Sequence, residues 1–189
     1  MKPAIFLDRD GVIIENRLDY VRSWDDVEIY PQALGALVKI SQSPYSIVIV
    51  TNQSAVGRGL IPLSTAQAIN QGLVAEIERK GGRIDGVYMC PHTPWEGCDC
   101  RKPEPGLFLQ AARDLSLDMS RSVMVGDALS DIIAARTAGI PRQALVQTGR
   151  GKEQAQLPEV ASLQPLPMYE TLTAALVDLL SLNGHKPTQ

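Results

Sequence analysis

The sequence lacks several things, and each absence removes a class of function. No apolar run reaches the roughly 20 residues that a membrane-spanning helix needs. No basic stripe is visible, and the formal net charge is -3 with an isoelectric point near 5.4, which argues against nucleic acid as the main partner. No internal repeat or low-complexity tract occurs, and neither a basic arm nor an exposed heptad marks a dedicated protein partner, so a monomer is expected. Met1-Lys2-Pro3 leads straight into an apolar segment, so no signal peptide is expected, and a cytoplasmic location is the default. Cysteine is scarce: there are three, all between positions 90 and 100. An odd count in a cytosolic chain argues against a disulfide framework.

What remains is an ordinary globular composition. The 189 residues are 44% apolar and 21% charged, which fits one domain over 1–189 with a substantial core. Apolar runs at Ala4–Leu7, Ser46–Val50, Gly86–Met89, Ser122–Val125 and Gln143–Val146 read as five strands. Between them, helices are predicted from Gln32 to Ile40 behind Pro31, and from a Ser64/Gln67 capping box to Gly81-Gly82. Two more are predicted after Pro105 and from Ile132 to Ala138. Residues 149–168 read as a surface connection, Thr171 to Leu182 as a closing helix, and His185 to Gln189 as a frayed tail. The alternation predicts an α/β fold, a parallel Rossmann-like sheet flanked by helices on both faces. Ligands of such sheets bind at the carboxyl ends of the strands.

The polar clusters fall at those ends. Asp8-Arg9-Asp10-Gly11 closes the first strand, and strand alternation puts Asp8 and Asp10 on one face. Two carboxylates that close need a cation or a shared proton, which suits Mg²⁺ and a carboxylate nucleophile. A calcium loop is excluded, because the twelfth position counted from Asp8 is Asp19 where a Glu is required. Thr51 ends the second strand and offers a hydroxyl to phosphate oxygens, Lys102 follows the third with a positive charge, and Asp127 ends the fourth, where it would complete a Mg²⁺ shell. Asp131, one helical turn on, could orient that shell.

Cys90, His92, Cys98 and Cys100 place four soft or borderline ligands within eleven residues of a Pro-containing polar loop. That is a Cys₃His set for Zn²⁺, closed and therefore structural, bracing the chain that runs into Arg101-Lys102.

Asp8-Arg9-Asp10-Gly11-Val12, Val50-Thr51-Asn52-Gln53, Arg101-Lys102-Pro103 and Gly126-Asp127 through Asp131 resemble the four motifs of the haloacid dehalogenase superfamily of phosphohydrolases. The resemblance implies Asp8 as nucleophile through an aspartyl-phosphate and Asp10 as general acid/base. It implies Mg²⁺ held by Asp8, the Asp10 backbone carbonyl and Asp127, with Thr51 and Lys102 on the transferring phosphoryl group. Forty residues separate Asp10 from Thr51 and fifty separate Thr51 from Lys102, and predicted elements fill both gaps, so no cap domain is expected.

The cysteine loop running into Arg101-Lys102-Pro103 resembles the zinc-loop branch of that superfamily. The branch contains heptose-1,7-bisphosphate 7-phosphatases and histidinol-phosphate phosphatases, and the match is closer to the former. It implies a small phosphorylated sugar as substrate, contacted by Asn52, Gln53, Arg101 and the Asn16 to Tyr20 loop. Some members of the branch carry a basic residue directly after the fourth-motif aspartate, where this chain has Ala128.

Overall fold

The computed structural model describes residues 1–180, so the expected tail and the last residues of the closing helix lie outside the described residues. Six parallel strands form one sheet: β1 (Ala4–Leu7), β2 (Ser46–Asn52), β3 (Gly86–Cys90), β4 (Val123–Gly126), β5 (Arg142–Val146) and β6 (Met168–Tyr169). Their order is β3-β2-β1-β4-β5-β6. The helices are α1 (Pro31–Ile40), α2 (Ser54–Gly57), α3 (Leu63–Arg79), α4 (Gly106–Leu115), α5 (Leu129–Thr137), α6 (Gly151–Gln154) and α7 (Leu172–Leu179).

Alternating residues of each central strand serve the two faces. Ile5, Leu7, Ile47, Ile49, Val123 and Val125 pack under α1, α3 and α7. Phe6, Val48, Val50 and Met124 pack against α4 and α5, where the Phe6 and Phe108 rings meet at 5.1 Å between centroids. Being buried on both faces, these strands read as continuous apolar runs.

Several expected boundaries shift. Strand β6 begins at the last residue of the segment 149–168, which the sequence suggested was a surface connection. It is only two residues long and too short to show a period of two. Ser64 is not the cap of α3: the helix starts at Leu63 behind Pro62, and no side chain caps it. Helix α5 begins three residues early, at Leu129, which puts Asp131 in its first turn. Helix α2, four residues long, was not anticipated.

The chain winds outward from β1 to β3 and then crosses back to β4 on the other side of β1. A crevice therefore opens beyond the carboxyl ends of β1 and β4, where Asp8 and Asp127 sit. Among the described residues neither long gap holds an inserted domain; they contain α1, and α2, α3 and β3, respectively.

A candidate phosphoryl-transfer site

A cavity of about 560 Å³ opens at this crevice, with Asp8, Asp10, Asn52, Gln53, Arg101 and Lys102 among its lining residues. A larger one, about 690 Å³, lies between α3 and the edge strand β3, and among the described residues Glu78 is the only charged one lining it.

Lys102 organises the floor. Its ammonium donates to Asp8 Oδ1 at 2.7 Å and to the Val50 carbonyl at 2.8 Å, and it pairs with Asp131 Oδ1 at 2.6 Å. All three charged groups are buried. Burial alone would depress the Lys102 pKa, but the two carboxylates override it and hold the pKa above the ordinary lysine value. Burial pushes Asp8 up to about 8, against Lys102, with Asp131 and Asp127 raising it further. Burial and the neighbouring Asp131 likewise push Asp127 up to about 6, against the pull of Arg150.

The two motif aspartates do not share one environment. Strand β1 ends at Leu7, so alternation does not carry through to Asp10. The Asp10 carboxylate instead accepts a forked pair from Arg9, with Nη2 to Oδ1 at 2.9 Å and Nε to Oδ2 at 3.1 Å. Gln53 Nε2 donates to Asp10 Oδ2 at 2.7 Å and to Thr51 Oγ1 at 2.8 Å. The Thr51 hydroxyl stands 3.4 Å from Asp10 Oδ2. Arg9 was not picked out in the sequence, yet it is only 1% exposed and its Nη1 donates to Asn70 Oδ1 of α3 at 2.7 Å. The available signal was a charge at the end of a core strand, which demands buried partners.

Asp8, Asp127 and Asp131 carry oxygens within 4.8 Å of one another, a grouping suited to a hard cation. Asp131 is already committed: Oδ1 to Lys102, and Oδ2 to the Ala128 N–H at 3.1 Å. Asp127 Oδ2 accepts from the Arg150 N–H at 2.8 Å, while the buried Oδ1 makes no hydrogen bond and faces the Arg150 guanidinium at 3.5 Å. A buried carboxylate oxygen beside Asp8 that makes no hydrogen bond of its own fits a metal ligand. Gly11 permits this closeness. Its φ is +82°, and a Cβ there would lie 2.1 Å from Asp127 Oδ2.

Asn52, expected to touch substrate, spends both halves of its carboxamide on the Lys102 backbone, donating at 3.0 Å and accepting at 3.1 Å. That reciprocal pair ties the lysine loop to the end of β2. Arg101 lines the cavity and donates to the His92 carbonyl at 3.0 Å. Ala128 is buried and not among the residues lining the cavity.

The cysteine loop folds its four ligands into one cluster. Sulfur separations are 3.7 Å for Cys90–Cys98, 3.5 Å for Cys98–Cys100 and 3.1 Å for Cys90–Cys100, and His92 Nδ1 lies 3.3 Å from Cys100 Sγ. Metal–sulfur bonds of about 2.3 Å in a tetrahedron would put sulfurs about 3.8 Å apart, so two of the three pairs already stand close to the required spacing. The thiols are free. The cluster is compatible with a metal site.

Known proteins share this plan. The chain is 40% identical over 158 residues to the D-glycero-β-D-manno-heptose-1,7-bisphosphate 7-phosphatase of Bordetella bronchiseptica, covering 82% of this chain and 88% of that enzyme. The chain belongs to this family of HAD-like hydrolases. A HAD-hydrolase-like family model matches residues 99–175. The enzyme of the same name from Photorhabdus laumondii is 39% identical over 155 residues, 78% of this chain and 82% of that one. The crystal structure of D,D-heptose 1,7-bisphosphate phosphatase from B. bronchiseptica, complexed with magnesium and phosphate, superimposes with a TM-score of 0.86 at 36% identity, covering 95% of this chain and 99% of that one. The expected fold is thereby confirmed.

Proposed function

We propose that this chain is a metal-dependent phosphomonoesterase that removes the 7-phosphate of D-glycero-β-D-manno-heptose 1,7-bisphosphate. The observation that carries the substrate is the similarity, across 95% of the chain, to a heptose-bisphosphate phosphatase solved with magnesium and phosphate. The chemistry is supported by the residues gathered at the crevice.

In this reading Asp8 attacks phosphorus and the bond to the sugar oxygen breaks. Asp10 gives that oxygen its proton, so the sugar leaves as an alcohol and Asp8 carries the phosphoryl group. Asp10, now ionised, takes a proton from water as the water attacks the same phosphorus, and inorganic phosphate leaves with Asp8 restored. Lys102 and Thr51 stabilise the charge spread over the phosphoryl oxygens. Arg9 and Gln53 act as positioning residues for Asp10, and Asn52 for Lys102, with Arg101 facing the sugar. A Mg²⁺ ion held by Asp8, the Asp10 backbone carbonyl and Asp127 would supply positive charge at the same oxygens. Zn²⁺ on Cys90, His92, Cys98 and Cys100 is assigned a structural role, because four protein ligands leave no open position. The reading includes a monomer working in the cytoplasm on a soluble sugar phosphate, without nucleic acid or membrane. Among the described residues no helix is long and apolar enough to cross a membrane.

The test is phosphate release with Mg²⁺, comparing kcat/KM for the heptose bisphosphate and for histidinol phosphate. A preference for the heptose of a hundredfold or more, about 2.7 kcal/mol, is expected. Preference for histidinol phosphate overturns the substrate assignment and leaves the chemistry standing.

A further inference from the structure

A substrate with two phosphates needs an anion site away from Asp8. Ala128 offers no cation for it. Among the described residues, five basic ones line the cavity: Arg17, Arg58, Arg101, Lys102 and Arg150. Three of them are paired with carboxylates. Lys102 serves Asp8 and Asp131, Arg17 pairs with Glu28 at 3.3 Å, and Arg150 faces Asp127 at 3.5 Å. Arg101 bonds a carbonyl, which does not neutralise it.

Arg58 is different. Its guanidinium lies 4.6 Å from the centroid of the Trp95 ring and 5.9 Å from that of Tyr20. No carboxylate within salt-bridge distance meets it among the described residues, and the nearby Glu96 carboxylate is turned onto the Thr93 N–H and hydroxyl. Aromatic faces hold a guanidinium in place without neutralising it, so its edge N–H donors stay available to an anion. The two rings come from different loops. Trp95 is 70% exposed, sits between the proposed zinc ligands and lies against the Arg58 guanidinium. Tyr20 has a φ of +65°, a left-handed conformation that bulky residues rarely adopt. Arg58 itself follows α2, the single turn that starts directly after Gln53. That puts it at the rim of the cavity whose floor receives the reacting phosphate.

We infer that Arg58, held against the rings of Trp95 and Tyr20, binds the phosphate that is not hydrolysed, and so sets the preference for a bisphosphate over a monophosphate sugar. This rests on the proposed substrate. It also gives the Cys₃His loop a second role: by positioning Trp95, it shapes the distal anion site as well as bracing Arg101 and Lys102.

The experiment measures kcat/KM for heptose 1,7-bisphosphate and for heptose 7-phosphate in the wild type, Arg58→Ala, Arg58→Lys and Trp95→Ala. Loss of a charge-assisted contact predicts that Arg58→Ala lowers the bisphosphate-over-monophosphate ratio by about tenfold or more. Arg58→Lys retains the charge but loses the fork and the stacking, and Trp95→Ala frees the guanidinium, so both lower the ratio by less. An unchanged ratio in Arg58→Ala overturns the assignment, as does an equal loss on both substrates, which would mean that Arg58 serves the reacting end. A wild-type ratio near one overturns the bisphosphate substrate itself, and the Arg58 assignment falls with it.

Discussion

Replacing Arg9 by Met tests whether a buried guanidinium positions the acid/base carboxylate. The side chain is 1% exposed and makes three hydrogen bonds, two to Asp10 and one to Asn70. Breaking a buried ion pair from one side costs about 3–5 kcal/mol, because the abandoned charge stays desolvated. Asp10 is 20% exposed and keeps its Gln53 and Thr51 contacts, so water and those donors offset part of the loss, leaving about 2–4 kcal/mol. At about 2–4 °C per kcal/mol for a chain of this size, the melting temperature should fall by roughly 5–15 °C. Catalysis should suffer separately. General acid/base catalysis is worth about 10²–10⁴-fold, and a loosened Asp10 forfeits part of it, so kcat should drop by about 10–100-fold. Arg9 is not among the residues lining the cavity, so KM should stay within about threefold. Arg9→Lys should recover part of the stability and little of the rate, since an ammonium cannot reproduce the fork. Thermal melts and steady-state kinetics read both effects. A variant that melts within about 2 °C of wild type and keeps kcat within about twofold refutes the reasoning, because Asp10 would then be held by Gln53 and Thr51 alone.

Asp8→Asn should lose at least about a thousandfold in kcat with its melting temperature retained, and turnover near wild type would refute covalent catalysis by Asp8. The metal-free protein should lose stability as pH rises from about 4 to 8. Folded Asp8 and Asp127 hold protons up to about 8 and 6, whereas the unfolded chain releases them near 3.8. Mg²⁺ must displace those protons, so the rise in melting temperature on adding it should be larger at pH 8 than at pH 6; an equal rise would contradict the raised carboxylates. Cys98→Ser should cut bound zinc from about one per chain to a small fraction of that on metal analysis, and full retention would remove Cys98 from the ligand set. Gly11→Ala should fail to fold or lose activity, because its Cβ would collide with Asp127 in a conformation that alanine resists, and unimpaired activity would show that the two loops move apart freely.

Much of the fold was legible because it rests on local, repeated signals. Continuous apolar runs marked five of the six strands, and β6 escaped because two residues carry no period. The polar residues closing those strands were legible for the same reason: a parallel sheet sends the ends of its strands to one edge, so Asp8, Thr51 and Asp127 had to converge. The Cys₃His set was legible from ligand chemistry and spacing within a single loop. Partner choice was not legible. Arg9 binds an α3 residue 61 positions away, Lys102 reaches Asp8 across 94, and Arg58 is held by rings from loops on either side of it in the chain. Asn52 and Gln53 were assigned to the substrate by the resemblance alone; both line the cavity, and the hydrogen bonds that fix them to Lys102 and Asp10 could not be read from the sequence. The sequence alone determined which chemical groups stand at the carboxyl edge of the sheet. Only the tertiary structure decided which of them neutralise one another and which keep charge for a substrate, because pairing depends on distances of about 3 Å between segments far apart in the chain.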